Sequence, residues 1–387
     1  MIEPAMDYAP FMRDALRLAE QGRYAACPNP TVGAVLVRDG RCVARGFHRA
    51  AGQAHAEVAC LNDAAARGVP TAGATLVVTL EPCNHHGKTP PCVKAILEAG
   101  IGRVVMGALD PDPLAAGGAA ALRAAGVDVV EGVLERECRD LIADFLVWRT
   151  TERPYVILKM AATLDGRIAA RNGHSQWISS ESSRLRVRQW RAGIGRCGGA
   201  VLVGGGTFRA DNPRLTAQGG FAADAQPLAC ILTSRLPGTG ESYHLLAERP
   251  GQTIFFTPPA VTDSERAEEL RARGVRVLDY GRGPRDGEGK RGADLPLVLA
   301  ALRRETGCPY VLCEGGGRLA ISLLEAGLVD EFRLHLAPKI LGDNEAVPLF
   351  AGRAPESMVQ ALSLRLCETG LCGGDAHLVL RPKNGAL

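Results

Sequence analysis

The stretch Glu81-Pro82-Cys83-Asn84-His85-His86-Gly87-Lys88-Thr89-Pro90-Pro91-Cys92 follows a strand-like apolar run and leads into a helical pattern. About one supersecondary unit earlier, His55-Ala56-Glu57 opens another helical pattern. A histidine, a glutamate two residues later, then Pro-Cys and a second cysteine form the signature of zinc nucleobase deaminases. One imidazole and two thiolates hold the metal there, and a fourth position stays open for water. The pattern therefore predicts that His55, Cys83 and Cys92 bind zinc.

Glu57 has a different predicted role from the three ligands. Zinc lowers the pKa of its water to about 7, and a neighbouring carboxylate can move the proton to the departing amine. A fourth protein ligand would close the position that water needs, so Glu57 is predicted to be a general acid/base. Taken singly, such residues are more often a helix start and core thiols. The eight residues between the cysteines also depart from the short Cys-x-x-Cys spacing.

The first part of the chain alternates between helical and strand patterns. Helices are predicted over 11–21, 55–67, 92–99, 119–125 and 135–148, and strands over 32–37, 43–47, 74–80, 103–107 and 127–130. Asp39-Gly40 between the first two strands is a strong hairpin signal. This alternation predicts an α/β domain in which helices cover a sheet.

A second α/β domain is predicted beyond a boundary near residues 150–154. Its strands are expected over 155–160, 200–203, 228–233, 253–257, 275–278, 310–314 and 331–338. Two domains, 1–150 and 151–387, also suit a length of 387 residues, which is more than one core usually organises. Residues 281–292, rich in Gly, Arg and Asp, are predicted to form an exposed loop.

The net charge and the cysteine content limit the expected binding partners and the expected cellular compartment of the protein. A formal net charge of +3 provides no basic field for a phosphate polymer, so nucleic acid is not the expected partner. No apolar run reaches membrane-spanning length, and the N-terminus lacks signal-peptide features. The twelve cysteines are scattered through a long chain and are predicted to be reduced thiols. The protein is therefore predicted to be cytoplasmic, without a membrane partner.

Two glycine runs follow predicted strands in the second domain. Gly204-Gly205-Gly206-Thr207 and Glu314-Gly315-Gly316-Gly317 place backbone N–H groups where a phosphate can approach without side-chain obstruction. Neither run matches the Gly-x-Gly-x-x-Gly fingerprint, so a Rossmann fold is not predicted, and a lone glycine triplet is more often a tight turn. Lys159 and Asp165 form a Lys/Asp pair near a strand end, an arrangement that is usually structural.

The zinc loop from Glu81 to Cys92 resembles that of the bifunctional riboflavin-biosynthesis deaminase/reductase family. Pro28-Asn29-Pro30-Thr31-Val32-Gly33 and Gly46-Phe47-His48 resemble the other deaminase motifs of that family. The resemblance implies a cytidine-deaminase-like three-layer fold for residues 1–150. It implies that Asn29 and His48 contact the pyrimidine and that His85, His86 and Lys88 line the entrance. His85 and His86 are expected to bind substrate or support the ligands rather than bind zinc.

The second domain is similar to the reductase half of the same family, which has a dihydrofolate-reductase-like fold and uses NADPH. The similarity lies in Leu164-Asp165-Gly166-Arg167, Ser175-Gln176-Trp177-Ile178, Ala210-Asp211-Asn212-Pro213-Arg214-Leu215-Thr216 and Glu314-Gly315-Gly316. The resemblance implies cofactor contacts at Ala161, Trp177, Thr207, Asp211, Ser234, Gly316, Gly317, Arg318, Leu319, Ala320, Ile321 and Ser322. It implies substrate contacts at Ser175, Arg191, Leu215, Gln218 and Glu314, in a pocket that Lys159 and Asp165 organise.

One position departs from the family pattern. Gln218 stands where the family usually has an arginine, and a neutral amide holds phosphate more weakly than a guanidinium. Residues 193–199 also look lengthened relative to the family, so the transfer of a role to Arg191 is open. Arg214 or Arg196 are the candidate replacements as a phosphate anchor.

The resemblance implies a two-step enzyme with zinc and NADPH as cofactors. Residues 1–150 would deaminate 2,5-diamino-6-ribosylamino-4(3H)-pyrimidinone 5′-phosphate, and residues 151–387 would reduce the ribosyl chain of the product to ribityl. The expected partners are phosphorylated pyrimidines and further copies of the chain in a dimer or tetramer. A deaminase with a decayed reductase half is the alternative. A nucleic-acid editing module and a structural zinc protein are less favoured, because basic patches and a fourth ligand are not evident.

Overall fold

The structure of the chain, a computed structural model, describes residues 6–85, 90–218, 225–284 and 292–383. The chain divides into two compact units, Met1–Thr151 and Glu152–Leu387. Each unit has its own apolar core, formed where helices cover a sheet. Within the described ranges, no helix has both the length and the apolar character needed to cross a bilayer.

The first unit is built on a five-stranded sheet with the strand order β2-β1-β3-β4-β5. The strands are β1 (Gly33–Arg38), β2 (Arg41–Phe47), β3 (Thr75–Leu80), β4 (Arg103–Ala108) and β5 (Asp128–Val130). The predicted hairpin at Asp39-Gly40 is confirmed, because β1 and β2 pair antiparallel and both turn residues have the positive φ that a tight hairpin requires. Parallel pairing of β3, β4 and β5 places their carboxyl ends on one edge of the sheet.

Among the described residues of the first unit, six helices form the outer layers. They are α1 (Ala9–Ala19), α2 (Ala56–Ala66), α3 (Cys92–Glu98), α4 (Gly118–Ala124), α5 (Glu135–Leu141) and α6 (Ala143–Thr150). Helices α1 and α5 contact each other over the sheet, and α2, α3 and α4 form a second contacting group. The three-layer α/β prediction is therefore confirmed.

The prediction of a single helix over 135–148 is wrong. The chain leaves helical geometry at Ile142, which separates α5 from α6. Helix α5 keeps an exposed face, whereas α6 has five consecutive buried residues over 143–147.

The second unit is built on a nine-stranded sheet with the order β11-β10-β9-β8-β12-β6-β13-β16-β15, and β7 pairs separately with β14. The strands are β6 (Tyr155–Thr163), β7 (Arg167–Ala169), β8 (Ala200–Gly204), β9 (Leu228–Leu232), β10 (Thr253–Thr257), β11 (Arg276–Asp279), β12 (Tyr310–Cys313), β13 (Glu331–Ala337), β14 (Val347–Pro348), β15 (Leu364–Cys372) and β16 (Asp375–Pro382). All seven predicted strands are present. Sequence patterns did not predict β7, β14, β15 or β16. Strand β15 was missed because it is exposed and lacks the apolar run of a buried parallel strand.

Seven helices accompany this sheet in the described ranges of the second unit. They are α7 (Glu181–Arg196), α8 (Gly205–Asp211), α9 (His244–Glu248), α10 (Pro259–Thr262), α11 (Glu265–Ala272), α12 (Leu295–Thr306) and α13 (Gly317–Glu325). Residues 193–196 of the apparently lengthened segment form the last turn of α7. Gly195 is required there, because a Cβ atom would lie 2.0 Å from the carbonyl oxygen of Ala225. Of the predicted loop over 281–292, residues 285–291 lie outside the described ranges.

Candidate active sites

Three predicted metal ligands converge in the first unit because each lies at the end of an element. His55 is the residue before α2, Cys83 follows β3 by three positions, and Cys92 is the first residue of α3. His55 Nδ1 lies 3.6 Å from the Cys83 sulfur and 3.3 Å from the Cys92 sulfur. All three ligand atoms lie within 4.8 Å of one another, and both cysteines are buried.

This donor set fits a tetrahedral zinc ion. Zinc–sulfur and zinc–nitrogen bonds of about 2.3 and 2.0 Å, at a tetrahedral angle, separate sulfur from nitrogen by roughly 3.6 Å. The observed separations of 3.6 and 3.3 Å match that requirement. Within the described part of the chain, the group contains three ligands and no fourth histidine, cysteine or carboxylate. A catalytic rather than a structural zinc site has that composition.

The two thiols share protons with each other and with the imidazole. A hydrogen bond from Cys92, with burial acting in the opposite sense, and a further bond from His55 hold the pKa of the Cys83 thiol well below its ordinary range. The backbone N–H of Cys92 also donates to the Cys83 sulfur at 3.5 Å. These bonds stabilise the thiolate form of Cys83, the form that metals bind. The hydrogen bond with Cys83, together with burial, raises the pKa of the Cys92 thiol, so Cys92 carries the shared proton.

Glu57 lies in the first turn of α2, two residues beyond His55, and is 4% exposed. Burial raises the pKa of Glu57 to about 7, because the charged carboxylate loses hydration. Its side chain also interacts with Cys92, and it does not belong to the ligand group. A carboxyl group with that pKa can both accept and release a proton near neutral pH.

Asn29 and His48 contact each other beside the ligand group. The amide nitrogen Nδ2 of Asn29 lies 3.1 Å from His48 Nε2, and His48 Nδ1 lies 3.0 Å from the carbonyl oxygen of Ala54. Since a carbonyl only accepts, Nδ1 carries the proton and Nε2 accepts from Asn29. Both ring nitrogens of His48 are therefore occupied, and Asn29 keeps its Oδ1 atom as an acceptor. The His48 ring also meets the His55 ring edge-on, with centroids 5.4 Å apart.

Glu81 has a role that the sequence reasoning did not assign. Its buried carboxylate accepts hydrogen bonds from the backbone N–H groups of Asp110, Gly117 and Ala119 at 3.1, 3.2 and 2.8 Å. These bonds connect the end of β3 to the segment that follows β4. That segment covers the thiols, because Ala115 packs against Cys83 and Cys92. The signal for Glu81 was a carboxylate placed directly after a buried strand. Of the predicted entrance residues, His85 is exposed, and His86 and Lys88 lie outside the described ranges.

In the second unit, the predicted cofactor residues gather at the carboxyl ends of adjacent parallel strands. Strand β8 lies between β9 and β12, and β12 also pairs with β6. Ala161 is in the carboxyl-terminal half of β6, Thr207 is in α8 after β8, and Ser234 follows β9. Gly316 precedes α13, and its Cβ position lies 3.5 Å from the Thr207 hydroxyl. Asp211, the last residue of α8, is exposed.

The glycine runs leave room for a ligand of the NADPH type at this edge. No described atom lies within 4 Å of the Cβ positions of Gly204 and Gly206. The N–H groups in the first turn of α13 lack intrahelical acceptors, as at any helix start, and can meet a phosphate. The later residues of the predicted 316–322 segment already have partners within the protein. Ala320 already donates to the Gly316 carbonyl, the Ala320 and Ile321 side chains are buried, and the Ser322 hydroxyl donates to the Arg318 carbonyl.

Arg191 and Glu314, both predicted to face the substrate, bind each other. Two guanidinium nitrogens of Arg191 lie 2.7 Å from the two Glu314 carboxylate oxygens, and Arg191 also donates to the Thr216 carbonyl at 3.0 Å. Burial opposes ionisation of Glu314, but the charges of Arg191 and Lys159 outweigh it and lower the pKa of that carboxyl. Burial lowers the pKa of Lys159. The open question about Arg191 is answered in part: it lies against Glu314 at the end of β12.

Three further predicted residues of the second unit, Trp177, Asp165 and Ser175, lie in exposed or half-buried segments, here called the rim. Trp177 is 62% exposed, carries the Arg184 guanidinium over its ring at 4.4 Å, and accepts a hydrogen bond from Lys339 at its carbonyl. Asp165 is exposed and accepts from the backbone N–H groups of Leu341 and Gly342, so it fixes a turn at the rim. Ser175, two residues before Trp177, belongs to the same rim segment.

The structure narrows the candidates for a phosphate anchor. Leu215 is buried and Gln218 is exposed, both with positive φ. Arg214 lies in an ion pair with Glu248 at 2.9 Å. Arg196 ends α7 just before β8 and so belongs to the amino edge of the sheet, opposite the predicted site. The suggestion that Arg196 substitutes for Arg191 is therefore wrong.

Comparison with known proteins matches each half of the chain. The family described as the cytidine and deoxycytidylate deaminase zinc-binding region matches residues 6–108, and the family described as the RibD C-terminal domain matches residues 154–378. The riboflavin biosynthesis protein RibD of Bacillus amyloliquefaciens is 39% identical over 376 residues, which cover 97% of this chain and 96% of that protein. RibD of Escherichia coli strain K12 is 37% identical over 383 residues, with 95% and 98% covered.

A solved structure has the same arrangement of elements. The Thermotoga maritima diaminohydroxyphosphoribosylaminopyrimidine deaminase/5-amino-6-(5-phosphoribosylamino)uracil reductase is 35% identical to this chain, with a TM-score of 0.74. The match covers 97% of this chain and 98% of that protein. The similarity therefore extends over both units.

Proposed function

The chain belongs to the RibD family of bifunctional deaminase/reductases of riboflavin biosynthesis, and from that membership we propose how its two units divide the chemistry. Residues 1–150 deaminate 2,5-diamino-6-ribosylamino-4(3H)-pyrimidinone 5′-phosphate. Residues 151–387 reduce the ribosyl side chain of the deaminated product with NADPH, which gives 5-amino-6-ribitylamino-uracil 5′-phosphate. The two family matches, over 6–108 and 154–378, support this division.

The deaminase proposal is carried by one observation, the buried carboxyl of Glu57 beside three converging ligands. When bound by His55, Cys83 and Cys92, zinc supplies an activated water at neutral pH. Because burial raises the pKa of Glu57 to about 7, this carboxyl can hold a proton near neutral pH and deliver it to the leaving amine. Burial of the carboxyl keeps bulk water from taking that proton.

Asn29 positions the pyrimidine in this proposal. Its Oδ1 atom remains available as an acceptor, because its amide nitrogen is held by His48. An amino group or ring N–H of the substrate is a suitable donor to that oxygen. His48 then orients Asn29 rather than binding substrate directly, because both of its ring nitrogens already have partners.

The reductase proposal rests on the carboxyl edge of β6, β8, β9 and β12. NADPH supplies the hydride when it is bound there. Lys159, in the middle of β6, and Arg191 and Glu314, at the end of β12, form a charged group. This group is suited to hold the hydroxyl groups and phosphate of the open ribosyl chain. The Thr207 hydroxyl and the first turn of α13 are the proposed cofactor contacts, supported by the 3.5 Å approach between Thr207 and the Gly316 Cβ position.

A deaminase with a decayed reductase half is not favoured by these features. The reductase family match covers residues 154–378, and Asp165, Trp177, Thr207 and Glu314 are all present. The experiment that tests the proposal measures product masses from the diaminopyrimidine with and without NADPH. We expect the deaminated intermediate alone without NADPH and the ribityl product with it. Accumulation of the deaminated intermediate in both reactions would instead support the single-activity alternative.

We also propose that the protein forms homo-oligomers. Strand β15 is the last strand of the nine-stranded sheet, and Leu366 and Leu371 on it are 53% and 79% exposed. An exposed apolar edge strand can pair with another chain. Sedimentation of the wild-type protein, compared with a Leu366→Glu/Leu371→Glu variant, tests this. Dissociation of the variant alone is expected, and a monomeric wild type would contradict the proposal.

A cytoplasmic location is proposed for the same protein. All twelve cysteines lie in the described ranges and none forms a disulfide. Reduced thiols in that number suit a reducing compartment. Fractionation of cells that express the protein tests this proposal, and recovery in an oxidising compartment would contradict it.

A further inference from the structure

Arg249, the residue after α9, is buried and binds backbone carbonyl groups instead of a carboxylate. Its Nη1 atom donates to the Arg214 carbonyl at 3.3 Å and to the Leu215 carbonyl at 3.5 Å, and its Nη2 atom donates to the Pro227 carbonyl. The neighbouring Glu248 carboxylate pairs with Arg214. The Arg249 guanidinium therefore joins the end of α9 to the segment after α8 and to the start of β9.

The segment 214–216 is held from two sides. Arg191 donates to the Thr216 carbonyl at 3.0 Å, so three consecutive carbonyls, those of Arg214, Leu215 and Thr216, accept from two guanidinium groups. Burial, and after it the positive charge of Arg191, lowers the pKa of Arg249, so the two cations act on each other. Leu215 is 2% exposed and has a φ of 52°, a left-handed conformation that residues other than glycine seldom adopt. Two arginines thus support the turn at Leu215.

These carbonyl contacts also set the direction of the neighbouring N–H groups. A trans peptide group is planar, so its carbonyl and its N–H point in opposite directions. The Arg214 carbonyl shares a peptide group with the Leu215 N–H, and the Leu215 carbonyl shares one with the Thr216 N–H. Neither N–H has an acceptor in the part of the chain that the structure describes. Because Arg249 holds the carbonyls, both N–H groups face away from it, and successive N–H groups in a turn can receive an anionic ligand.

We propose that Arg249 is a positioning residue of the reductase unit, which holds the carbonyls of Arg214 and Leu215 so that the N–H groups of Leu215 and Thr216 face the phosphorylated ribosyl chain. The inference rests on the proposed reductase function. Arg249 acts through the backbone and does not touch the substrate, because its guanidinium is buried against protein carbonyls. The proposed cofactor contacts, Thr207 and the first turn of α13, lie on other elements. Loss of Arg249 therefore weakens binding of the pyrimidine and not of NADPH.

The test measures the steady-state kinetics of NADPH oxidation with the deaminated pyrimidine and the binding of NADPH, both on the whole protein. The variants are Arg249→Met and Arg249→Lys. The control is Arg273→Met, which removes an exposed arginine that donates to one carbonyl, that of Leu246, at 3.2 Å. We expect Arg249→Met to raise KM for the pyrimidine about 10-fold or more, as for the loss of a charged hydrogen bond. Changes in kcat and in the Kd of NADPH should stay below about 2-fold, since the lost interaction concerns substrate binding.

Arg249→Lys keeps the charge but offers one nitrogen for several carbonyls, so its KM should lie between those of the wild type and Arg249→Met. The control should behave as the wild type. Both Arg249 variants with a wild-type KM and a lower stability to urea would show a purely structural role and overturn the inference. An equal loss of NADPH binding in Arg249→Lys would assign the turn to the cofactor and also overturn it.

Arg249→Lys decides the outcome if Arg249→Met does not fold, as judged by a complete loss of NADPH binding. A KM for Arg249→Lys within about 2-fold of the wild type would then contradict the inference. The proposed function fails by a separate measurement, namely the absence of NADPH oxidation by the wild type with the deaminated pyrimidine. An active wild type with unaffected Arg249 variants contradicts this inference alone.

Discussion

Arg191 and Glu314 form a largely buried bidentate ion pair, with each of two guanidinium nitrogens 2.7 Å from one carboxylate oxygen. Removing one partner of such a pair leaves an uncompensated charge, which typically costs about 3–5 kcal/mol, whereas replacing both by apolar groups costs much less. The pair lies beside Lys159, which also contributes to the low pKa of Glu314. We therefore expect stability and reduction to depend on the same two residues.

We expect Glu314→Gln to lower the free energy of unfolding of the second unit by about 3 kcal/mol and to abolish reduction. Arg191→Met/Glu314→Leu should regain most of that stability while remaining inactive as a reductase. Urea unfolding and NADPH oxidation measure the two effects, and deamination serves as the internal control. A double variant less stable than Glu314→Gln would contradict the electrostatic explanation.

For Glu57, the substitution Glu57→Gln should keep the metal and lose the proton transfer. Deamination should fall at least about 100-fold, as expected for the loss of a general acid/base, with zinc content unchanged. Ammonia release and metal analysis measure the two properties. Glu98→Gln on the exposed side of α3, where Glu98 pairs with Lys94, is the matched control. If the Glu57→Gln variant deaminates normally, the proposed mechanism is wrong.

Asn29 and His48 should behave as one unit, because His48 acts through the Asn29 amide. His48→Ala and Asn29→Ala should each lower kcat/KM for deamination about 10-fold or more, and the double variant should be no worse than Asn29→Ala. Zinc content should stay constant in all three. Additive losses, measured by steady-state kinetics, would indicate that His48 binds substrate independently.

Zinc removal should separate the two reactions. Cys92→Ser should lose zinc, with affinity lowered at least about 10-fold, and should lose deamination while retaining NADPH oxidation. Cys60→Ser alters another buried thiol of the first unit that lies outside the ligand group, so it should keep the metal. Metal content and both activities are the measurements. Retention of stoichiometric zinc by the Cys92→Ser variant would exclude Cys92 as a ligand.

The second unit should lose stability as pH falls below about 6.5, the ordinary histidine pKa, because of two buried imidazoles. Burial and Lys159 lower the pKa of His335 to about 3, and burial and Arg186 lower the pKa of His377 to about 4. The unfolded chain therefore binds protons that the folded chain does not, so this stability is present above about pH 6.5 and lost progressively below it. The loss can reach about 1.4 kcal/mol per pH unit for each group.

His335→Phe should flatten that pH dependence, because phenylalanine binds no proton. The substitution keeps a ring that can stack on Trp190, so the packing is preserved. Thermal unfolding between about pH 7 and pH 5, a range set by the ordinary histidine pKa of about 6.5, is the measurement. His244→Gln, at an exposed histidine that pairs with Glu248, is the control and should leave the slope unchanged. Equal slopes in the wild type and the His335→Phe variant would contradict the assignment.

The local sequence pattern was sufficient to predict most of the helices and strands and the candidate metal ligands. The hairpin at Asp39-Gly40 depends on the φ angles of two adjacent residues, and His55, Cys83 and Cys92 lie at element ends that apolar periodicity locates. Pairings between distant segments had no such signal. The ion pair of Arg191 with Glu314 joins residues 123 positions apart, and the exposed β15 has no buried run to mark it.

By itself the sequence determined the family and predicted the ligands and the acid/base, because these depend on residue types at short spacing. Only the tertiary structure decided which groups are free to act. It engages both ring nitrogens of His48, removes Arg196 to the opposite edge of the sheet, and directs the Arg249 guanidinium to backbone carbonyls. The physical reason is that a side chain's availability depends on neighbours brought together by strand order, which the local sequence does not encode.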